Sequence, residues 1–193
     1  MKNLAFLLCL VVLFGCKKKY DNPHIVITTK FGEIEAELYP AKAPKSVAAF
    51  LRFINEGLYD KSTFYRVLKE GNQPTSAFKT EIIQGGIWNT DNAKALKATK
   101  IPHETTQQTG LTHKNGTLSL ARTEPGSATT EFFICVGDQP AYDYGQNTNP
   151  DKQGYAAFGR VIKGLEVLQQ LHRQPENGED FYPAIPIFSI KQL

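Results

Sequence analysis

The chain has 193 residues, of which 41% are hydrophobic and 21% charged, and its formal net charge is +3 at pH 7. This composition is that of an ordinary globular protein, and it excludes intrinsic disorder, collagen-like repeats and a multi-span membrane protein. The charge is too mild to indicate nucleic-acid binding, and three cysteines are too few for a disulfide-stapled scaffold. We therefore expect one globular domain with additional segments.

The first sixteen residues are strongly apolar. Lys2 is their only charge, and Leu4 to Phe14 form an unbroken apolar run of 11 residues. A helix of that length is shorter than a bilayer core of roughly 30 Å, and a basic start before a short apolar stretch is typical of a secretory signal. The run ends at Gly15-Cys16, which resembles a bacterial lipobox, in which the cysteine is lipidated and becomes the first mature residue.

This pattern predicts a lipoprotein signal peptide over residues 1–15 and a lipidated tether over residues 16–22. Acyl chains on Cys16 would hold the protein at a membrane, because each buried CH₂ contributes about 0.8 kcal/mol. The basic Lys17 to Lys19 does not resemble an acidic surface-export tag, so we expect a lipid-anchored protein of the cell envelope that faces the periplasm. An ordinary signal peptide, or a membrane anchor with an incidental cysteine, is the alternative.

Residues 23–193 read as strands and turns that form one domain. Alternating or β-branched segments predict the strands Ile25–Thr29, Glu33–Tyr39, Thr63–Leu68, Glu81–Gln84, Thr117–Ala121, Phe132–Val136, Ala156–Ile162 and Ile185–Leu193. One helix is predicted from Pro44 to a cap at Gly57, and a second over Gly164–His172. The polar stretch 91–112 lacks a clear period and predicts a long surface loop. Many short strands with two helices indicate a mainly β fold, a closed or nearly closed antiparallel barrel plugged by helices.

The sequence carries no signature of nucleophilic, metal or nucleotide chemistry. Its histidines are scattered without the Cys/His pairs of a zinc site, and we expect His103 and His113 at the surface. The glutamates of Glu33–Tyr39 fall on one strand face, which we interpret as a solvated face and not as a metal or acid/base cluster. Cys135 lies in an apolar run and is expected to be a buried core thiol. We expect no metal and no cofactor.

Several segments read together resemble the cyclophilin family of peptidyl-prolyl cis-trans isomerases. They occur in family order and span nearly the whole chain from His24. The matching segments are Ala43–Phe50, Phe64–Val67 with Ile83–Gly86, Gly116–Arg122 with Ala128–Ile134 and, more weakly, Ala157–Gly164. The resemblance implies a closed antiparallel eight-stranded barrel capped by two α-helices, and isomerase activity on X-Pro bonds.

The same resemblance implies roles for individual residues. Arg66 would donate a hydrogen bond to the prolyl nitrogen in the twisted transition state, Gln84 would orient the arginine and the peptide, and Phe133 would form the floor of the proline pocket. Substrate-binding positions implied in this way are Ile82, Ala121, Arg122, Glu131, Tyr142 and Tyr155. Glu131 stands where many members have glutamine. The expected partners are proline-containing polypeptides, in particular exported proteins during folding, and we expect a monomer.

Some positions depart from the family pattern. Eighteen positions separate Arg66 from Gln84, more than in the family, because a loop is inserted between them. Glu81 stands where the family has an aromatic residue, and Phe78 of the inserted loop is a candidate to replace it. Ala141 falls where cyclosporin-sensitive members have tryptophan, so tight cyclosporin binding is not expected. These departures leave an alternative open, a non-catalytic module that binds proline-containing peptides or acts as a chaperone on the same fold.

Overall fold

The computed structural model describes residues 20–193. The predicted signal peptide, residues 1–15, and the predicted lipidation site Cys16 lie outside the described residues. Within residues 20–193, no helix combines the length and the apolar character needed to cross a membrane.

The described chain is built mainly from β-strands. The strands are β1 (His24–Thr29), β2 (Gly32–Leu38), β3 (Thr63–Leu68), β4 (Ile82–Gly86), β5 (Thr117–Leu120), β6 (Phe132–Cys135), β7 (Ala156–Lys163), β8 (Glu176–Asn177) and β9 (Asp180–Gln192). The helices are α1 (Pro44–Asn55), α2 (Asn92–Lys97), α3 (Thr106–Thr109) and α4 (Leu165–His172). Two single 3₁₀ turns occupy Glu70–Asn72 and Pro140–Tyr142.

Eight of the strands close into a barrel. Their order is β1-β2-β7-β5-β6-β4-β3-β9, every pair is antiparallel, and β9 returns to pair with β1. The short β8 pairs only with β9 and forms a hairpin on the outside of this arrangement. Closure pairs the edge strands that an open sheet would leave exposed. The predicted fold, a closed eight-stranded antiparallel barrel with helices, is therefore confirmed.

The core fills the barrel and is covered by α1 and α4. Pro44 occupies the first turn of α1, as predicted, and Gly57 follows the helix with φ +65°. Phe50 of α1 packs its ring against the rings of Tyr59, Phe132 and Phe158, with centroids 5.1, 5.4 and 4.9 Å away. Full burial of such side chains contributes about 1.5–3 kcal/mol each, so this aromatic cluster anchors α1 to β6 and β7.

The prediction of one long surface loop over residues 91–112 is wrong, because α2 and α3 lie within it. Each is held by a local cap: the Asp91 side chain accepts a hydrogen bond from the Lys94 N–H, and the Thr105 side chain accepts one from the Gln108 N–H. Helices of six and four residues are too short to display a helical period, so the capping residues were the available signal.

The glutamates of β2 do not form a uniformly solvated face. Glu35 is buried, and its carboxylate lies 2.8 Å from Nδ1 of His24 and also pairs with Lys163. The hydrogen bond from Lys163, followed by that from His24, holds the pKa of Glu35 below its usual value. The expectation of a solvated face is therefore wrong for Glu35, which ties β1, β2 and β7 together.

Candidate active site

The register of three neighbouring strands brings the predicted catalytic residues into one row. Arg66 of β3 lies opposite Gln84 of β4, and Gln84 lies opposite Phe133 of β6. Directly opposite residues share a face of the sheet. Their neighbours Ile83 and Phe132 point into the core, so Arg66, Gln84 and Phe133 lie on the outer face of the barrel.

A β-bulge adds a fourth side chain to this row. Phe64 pairs with Gly85 and Arg66 pairs with Gln84, so Tyr65 is an extra residue on β3. A bulge redirects side chains that would otherwise alternate between the two faces. Tyr65 and Arg66, although consecutive, consequently line the same cavity. Tyr65 could not be identified from the sequence, because alternation places neighbouring residues on opposite faces.

The row borders a cavity of about 550 Å³. The structure brings all of the predicted site residues of the domain to its lining, which includes Arg66, Ile82, Gln84, Ala121, Arg122, Glu131, Phe133, Tyr142 and Tyr155. Phe78 does not join them: it is 40% exposed and lies outside the lining, so it does not replace the aromatic residue missing at Glu81.

The apolar part of the cavity is built from three rings. Phe133 lies 5.3 Å from Tyr142 and 5.3 Å from Tyr155 between ring centroids, and the two tyrosines lie 4.9 Å apart, all edge to face. The Tyr142 hydroxyl lies 2.6 Å from the Thr80 hydroxyl, and burial raises the pKa of Tyr142, so it stays neutral. The Tyr155 hydroxyl donates to Asn149 at 3.3 Å. These rings form an apolar wall suited to a small cyclic side chain.

His113 supports this wall from below. It is 1% exposed, and its ring stacks on Phe133 with centroids 5.9 Å apart and an interplanar angle of 14°. Its Nδ1 lies 2.7 Å from the Asp143 carboxylate and its Nε2 lies 3.0 Å from the Ser119 hydroxyl. The expectation of a surface histidine is therefore wrong for His113. Ser119 is fully buried, so this Ser–His–Asp array holds Phe133 and does not reach the cavity.

Arg66 is fixed on both sides of its guanidinium. Its Nε and Nη2 donate to one carboxylate oxygen of Glu179 at 3.1 and 2.5 Å, and its Nη1 donates to Oε1 of Gln84 at 3.4 Å. Glu179 lies in the turn between β8 and β9, 113 positions along the chain from Arg66. Glu179 could not be identified from the sequence, since no motif or period connects residues so far apart.

A chain of hydrogen bonds runs from Glu131 to the row of Arg66, Gln84 and Phe133. Glu131 accepts from the N–H groups of Ile87 and Trp88 at 3.0 and 3.1 Å, and from the Tyr65 hydroxyl at 2.7 Å. The Tyr65 oxygen in turn accepts from Nε2 of Gln84 at 2.7 Å. A carboxylate only accepts, so Tyr65 donates to Glu131 and Gln84 must turn its amide nitrogen to Tyr65. The amide oxygen of Gln84 is thereby left facing a donor, the arginine.

Burial governs the ionisation of this chain. Desolvation raises the pKa of Glu131, although hydrogen bonds from the hydroxyls of Tyr65 and Thr130 and from the N–H groups of Ile87 and Trp88 oppose the shift. Burial and the neighbouring carboxylate likewise raise the pKa of Tyr65, which remains a neutral hydroxyl. Gly86 precedes the two N–H donors with φ +148°, and a side chain there would collide with the Glu131 carboxylate. The conformation of Gly86 therefore lets the carboxylate reach the backbone.

Arg122 lines the cavity with its stem but directs its charge elsewhere. Its side chain is 1% exposed, and Nη1 and Nη2 donate to the two carboxylate oxygens of Asp151 at 2.7 and 2.8 Å. Its Nε donates to the Gly154 carbonyl at 2.9 Å, and the guanidinium lies 5.3 Å from the Tyr155 ring. The bidentate hydrogen bond holds the pKa of Asp151 below its usual value. Arg122 thus anchors the loop that follows the second 3₁₀ turn.

The described residues offer no site for a metal ion: within residues 20–193 no group of three His, Cys, Asp or Glu side chains is placed to hold one. Cys135 is buried next to Phe133, as predicted for a core thiol, and burial raises its pKa well above the ordinary value. Its thiol is therefore protonated and unsuited to nucleophilic chemistry.

Comparison with known proteins agrees with this geometry. The family model described as cyclophilin type peptidyl-prolyl cis-trans isomerase/CLD matches residues 24–192. Among curated relatives, peptidyl-prolyl cis-trans isomerase A of Dickeya dadantii is 39% identical over 166 residues, which cover 86% of this chain and 79% of the relative. Peptidyl-prolyl cis-trans isomerase B of Escherichia coli is 32% identical over 148 residues, which cover 76% of this chain and 82% of the relative.

Solved structures show the same fold. A cyclophilin type peptidyl-prolyl cis-trans isomerase of Cryptosporidium parvum superposes with a TM-score of 0.69 at 24% identity, covering 89% of this chain and 98% of that chain. A second crystal structure of that protein, in the presence of the dipeptide Ala-Pro, superposes with a TM-score of 0.66 at 25% identity, covering 86% of this chain and 96% of that chain. With the family model spanning nearly all of the described residues, the chain belongs to the cyclophilin-type peptidyl-prolyl cis-trans isomerases.

Proposed function

We propose that this cyclophilin-type isomerase rotates X-Pro bonds by stabilising the twisted amide, with Arg66 as the donor to the prolyl nitrogen. The observation that carries the proposal is the guanidinium of Arg66, which is held by Glu179 and Gln84 beside the aromatic wall of the cavity. No group suited to covalent catalysis is needed, because the reaction neither makes nor breaks a covalent bond.

The barrier to rotation arises from amide resonance and amounts to about 18–20 kcal/mol. At the twisted state resonance is lost, and the prolyl nitrogen becomes pyramidal with a free lone pair. A preorganised donor aimed at that nitrogen stabilises the twisted state and gains little from the planar ground state. Of the five N–H groups of an arginine, Glu179 and Gln84 engage one each on Nε, Nη2 and Nη1, which leaves one on each terminal nitrogen for the substrate.

The remainder of the cavity supports binding of the peptide. The rings of Phe133, Tyr142 and Tyr155 offer the proline ring an apolar surface, next to Ile82. Ala121, directly after β5, supplies a small side chain along the edge of the cavity, where an extended peptide backbone can approach closely. Gln84 lies on β4, between β3 with the donor Arg66 and β6 with Phe133 of the apolar wall.

The catalytic claim is tested with a protease-coupled assay on a tetrapeptide containing Ala-Pro. We expect Arg66→Ala to lower kcat/KM by roughly 10²–10³, the loss typical of one preorganised donor. Arg52→Ala is the matched control, because Arg52 is a half-exposed arginine of α1 outside the cavity. Equal activity of the wild type and Arg66→Ala would refute the assignment of Arg66.

We further propose that the protein assists the folding of exported proteins from a lipid anchor on Cys16, in the cell envelope and facing the periplasm. The 11-residue apolar run from Leu4 to Phe14, followed directly by Gly15-Cys16, supports this proposal. The barrel starts only a few residues later, at His24. Labelling with radioactive palmitate is expected to mark the wild type and not Cys16→Ser. Label retained in Cys16→Ser would contradict the anchor.

A second candidate function is a non-catalytic module that binds proline-containing peptides. Glu81 favours it, because this residue stands where the family has an aromatic residue and Phe78, 40% exposed, does not complete the cavity wall in its place. This candidate predicts that a proline peptide binds without any increase in its cis–trans exchange rate. Exchange NMR at a known bound fraction separates the two functions, since catalysis requires exchange in the bound peptide.

A further inference from the structure

We propose that Glu179 is a positioning residue for Arg66, and that the inserted loop of residues 69–80 and the β8–β9 hairpin hold it in place. The inference rests on the proposed role of Arg66 as the donor to the prolyl nitrogen. It concerns a residue that touches the arginine on the side away from Gln84 and has no place in the cavity lining.

The hairpin is tied to the inserted loop by side chains. Nζ of Lys69 donates to the Gln174 carbonyl at 3.0 Å and pairs with the Glu176 carboxylate at 2.5 Å. Nδ2 of Asn72 donates to the Gly178 carbonyl at 3.0 Å. These contacts fix the hairpin immediately before Glu179, so the insertion has a structural partner.

A backbone bond completes the link to the catalytic strand. The Val67 N–H donates to the Glu179 carbonyl at 2.7 Å, directly after Arg66 in the chain. Asn72 also donates from its amide to the Val67 carbonyl at 3.0 Å, so the loop, the hairpin and β3 converge at this point. The backbone of Glu179 is therefore hydrogen-bonded to β3, the strand that carries Arg66. This bond positions the side chain of Glu179 beside the guanidinium.

The side chain of Arg66 is held by hydrogen bonds to Glu179 and Gln84, and these differ in strength. Its side chain is 38% exposed, and the hydrogen bond to Gln84, at 3.4 Å, is long. Without Glu179 this weak bond alone would restrain a flexible cationic side chain, which would then populate other rotamers in solvent. Glu179 holds both the Nε and the Nη2 edge, so it fixes the plane of the guanidinium. Its removal should slow the step that needs the aligned donor and leave ground-state binding nearly unchanged.

The test compares two half-exposed carboxylates that each pair with an arginine. Glu56 pairs with Arg52 of α1 and lies outside the hairpin and the inserted loop, so Glu56→Ala is a matched control for Glu179→Ala. With the full-length chain and the Ala-Pro tetrapeptide, we expect Glu179→Ala to lower kcat by about tenfold with KM within about twofold. Glu56→Ala should keep at least about half of the wild-type kcat.

Salt and NMR readouts separate positioning from a structural effect. At 1 M NaCl, where the Debye length is about 3 Å, the wild-type kcat should fall toward that of Glu179→Ala, whose own kcat stays constant. The ¹⁵N–¹H signal of Arg66 Nε should move to the position of a solvated arginine in Glu179→Ala and in the similarly shaped Glu179→Gln, but not in Glu56→Ala.

Several results would overturn the inference. These are a kcat of Glu179→Ala equal to that of the wild type, equal losses of kcat in Glu179→Ala and Glu56→Ala, or an Arg66 Nε signal that does not respond to Glu179. If the wild type accelerates exchange while Glu179→Ala is equally fast, only this inference fails. If the wild type itself is inactive, the proposed function fails and the positioning role fails with it.

Discussion

Replacing Tyr65 with phenylalanine removes one oxygen and two hydrogen bonds from the site. The lost oxygen donates to the Glu131 carboxylate and accepts from Gln84, both at 2.7 Å. A hydrogen bond to a charged group contributes about 1.5–3 kcal/mol and a neutral one about 1 kcal/mol. We therefore expect Tyr65→Phe to lower the free energy of unfolding by about 3 kcal/mol, equivalent to a fall in Tm of roughly 6–12 °C for a domain of this size.

The same substitution should also slow isomerisation. Without the tyrosine oxygen, Gln84 loses the acceptor that orients its amide, and a flipped amide would present N–H groups to Arg66 in place of oxygen. We expect kcat to fall by about fivefold to tenfold, the effect of a misaligned donor. Urea denaturation measures the stability, and the protease-coupled assay at saturating peptide measures kcat.

The control for this prediction is Tyr182→Phe, because Tyr182 is 73% exposed on β9 and lies outside the cavity. Its stability should stay within about 0.5 kcal/mol of the wild type. If Tyr65→Phe is as stable and as active as Tyr182→Phe, the hydrogen-bond chain from Glu131 does not orient Gln84, and the reasoning is refuted.

Three further predictions concern the cavity and its surroundings. Phe133→Ala should lower the free energy of unfolding by about 3–5 kcal/mol, measured by urea denaturation, and abolish activity, because it removes the wall's central ring. Burial raises the pKa of Glu131 above its unfolded value near 4.5. The free energy of unfolding of the wild type relative to Glu131→Gln should therefore be constant below about pH 4 and fall as pH rises through the folded pKa. Denaturation of both proteins from pH 4 to 8 checks this, and a wild-type free energy of unfolding that rises relative to Glu131→Gln would contradict it. With Cys9 and Cys16 replaced by serine, a thiol reagent should leave Cys135 unmodified until urea unfolds the chain, and rapid labelling of the native protein would contradict its burial.

Local patterns in the sequence account for most of the barrel. Strict alternation over Glu33–Tyr39 and β-branched or apolar runs elsewhere predict the strands, because each residue's side chain must face either core or solvent. Proline and glycine mark the limits of α1 in the same way. The motifs that resemble the cyclophilins add Arg66, Gln84 and Phe133, which the structure brings to adjacent strands.

The parts that could not be predicted depend on contacts between distant segments. Tyr65 enters the cavity through a bulge, which alternation does not reveal, and Glu179 reaches Arg66 from another hairpin. The burial of His113 depends on Asp143 and Ser119, which meet only once the barrel has closed. Glu35 is buried for a similar reason, since its partners come from the neighbouring strands.

The central claim is that the guanidinium of Arg66 accelerates rotation of an X-Pro bond. Exchange NMR on the Ala-Pro tetrapeptide measures that rotation and the bound fraction in one sample, for the wild type and for Arg66→Ala. We predict cis–trans exchange cross-peaks with the wild type and only the uncatalysed rate with Arg66→Ala at an equal bound fraction. Equally fast exchange in the two proteins would contradict the claim.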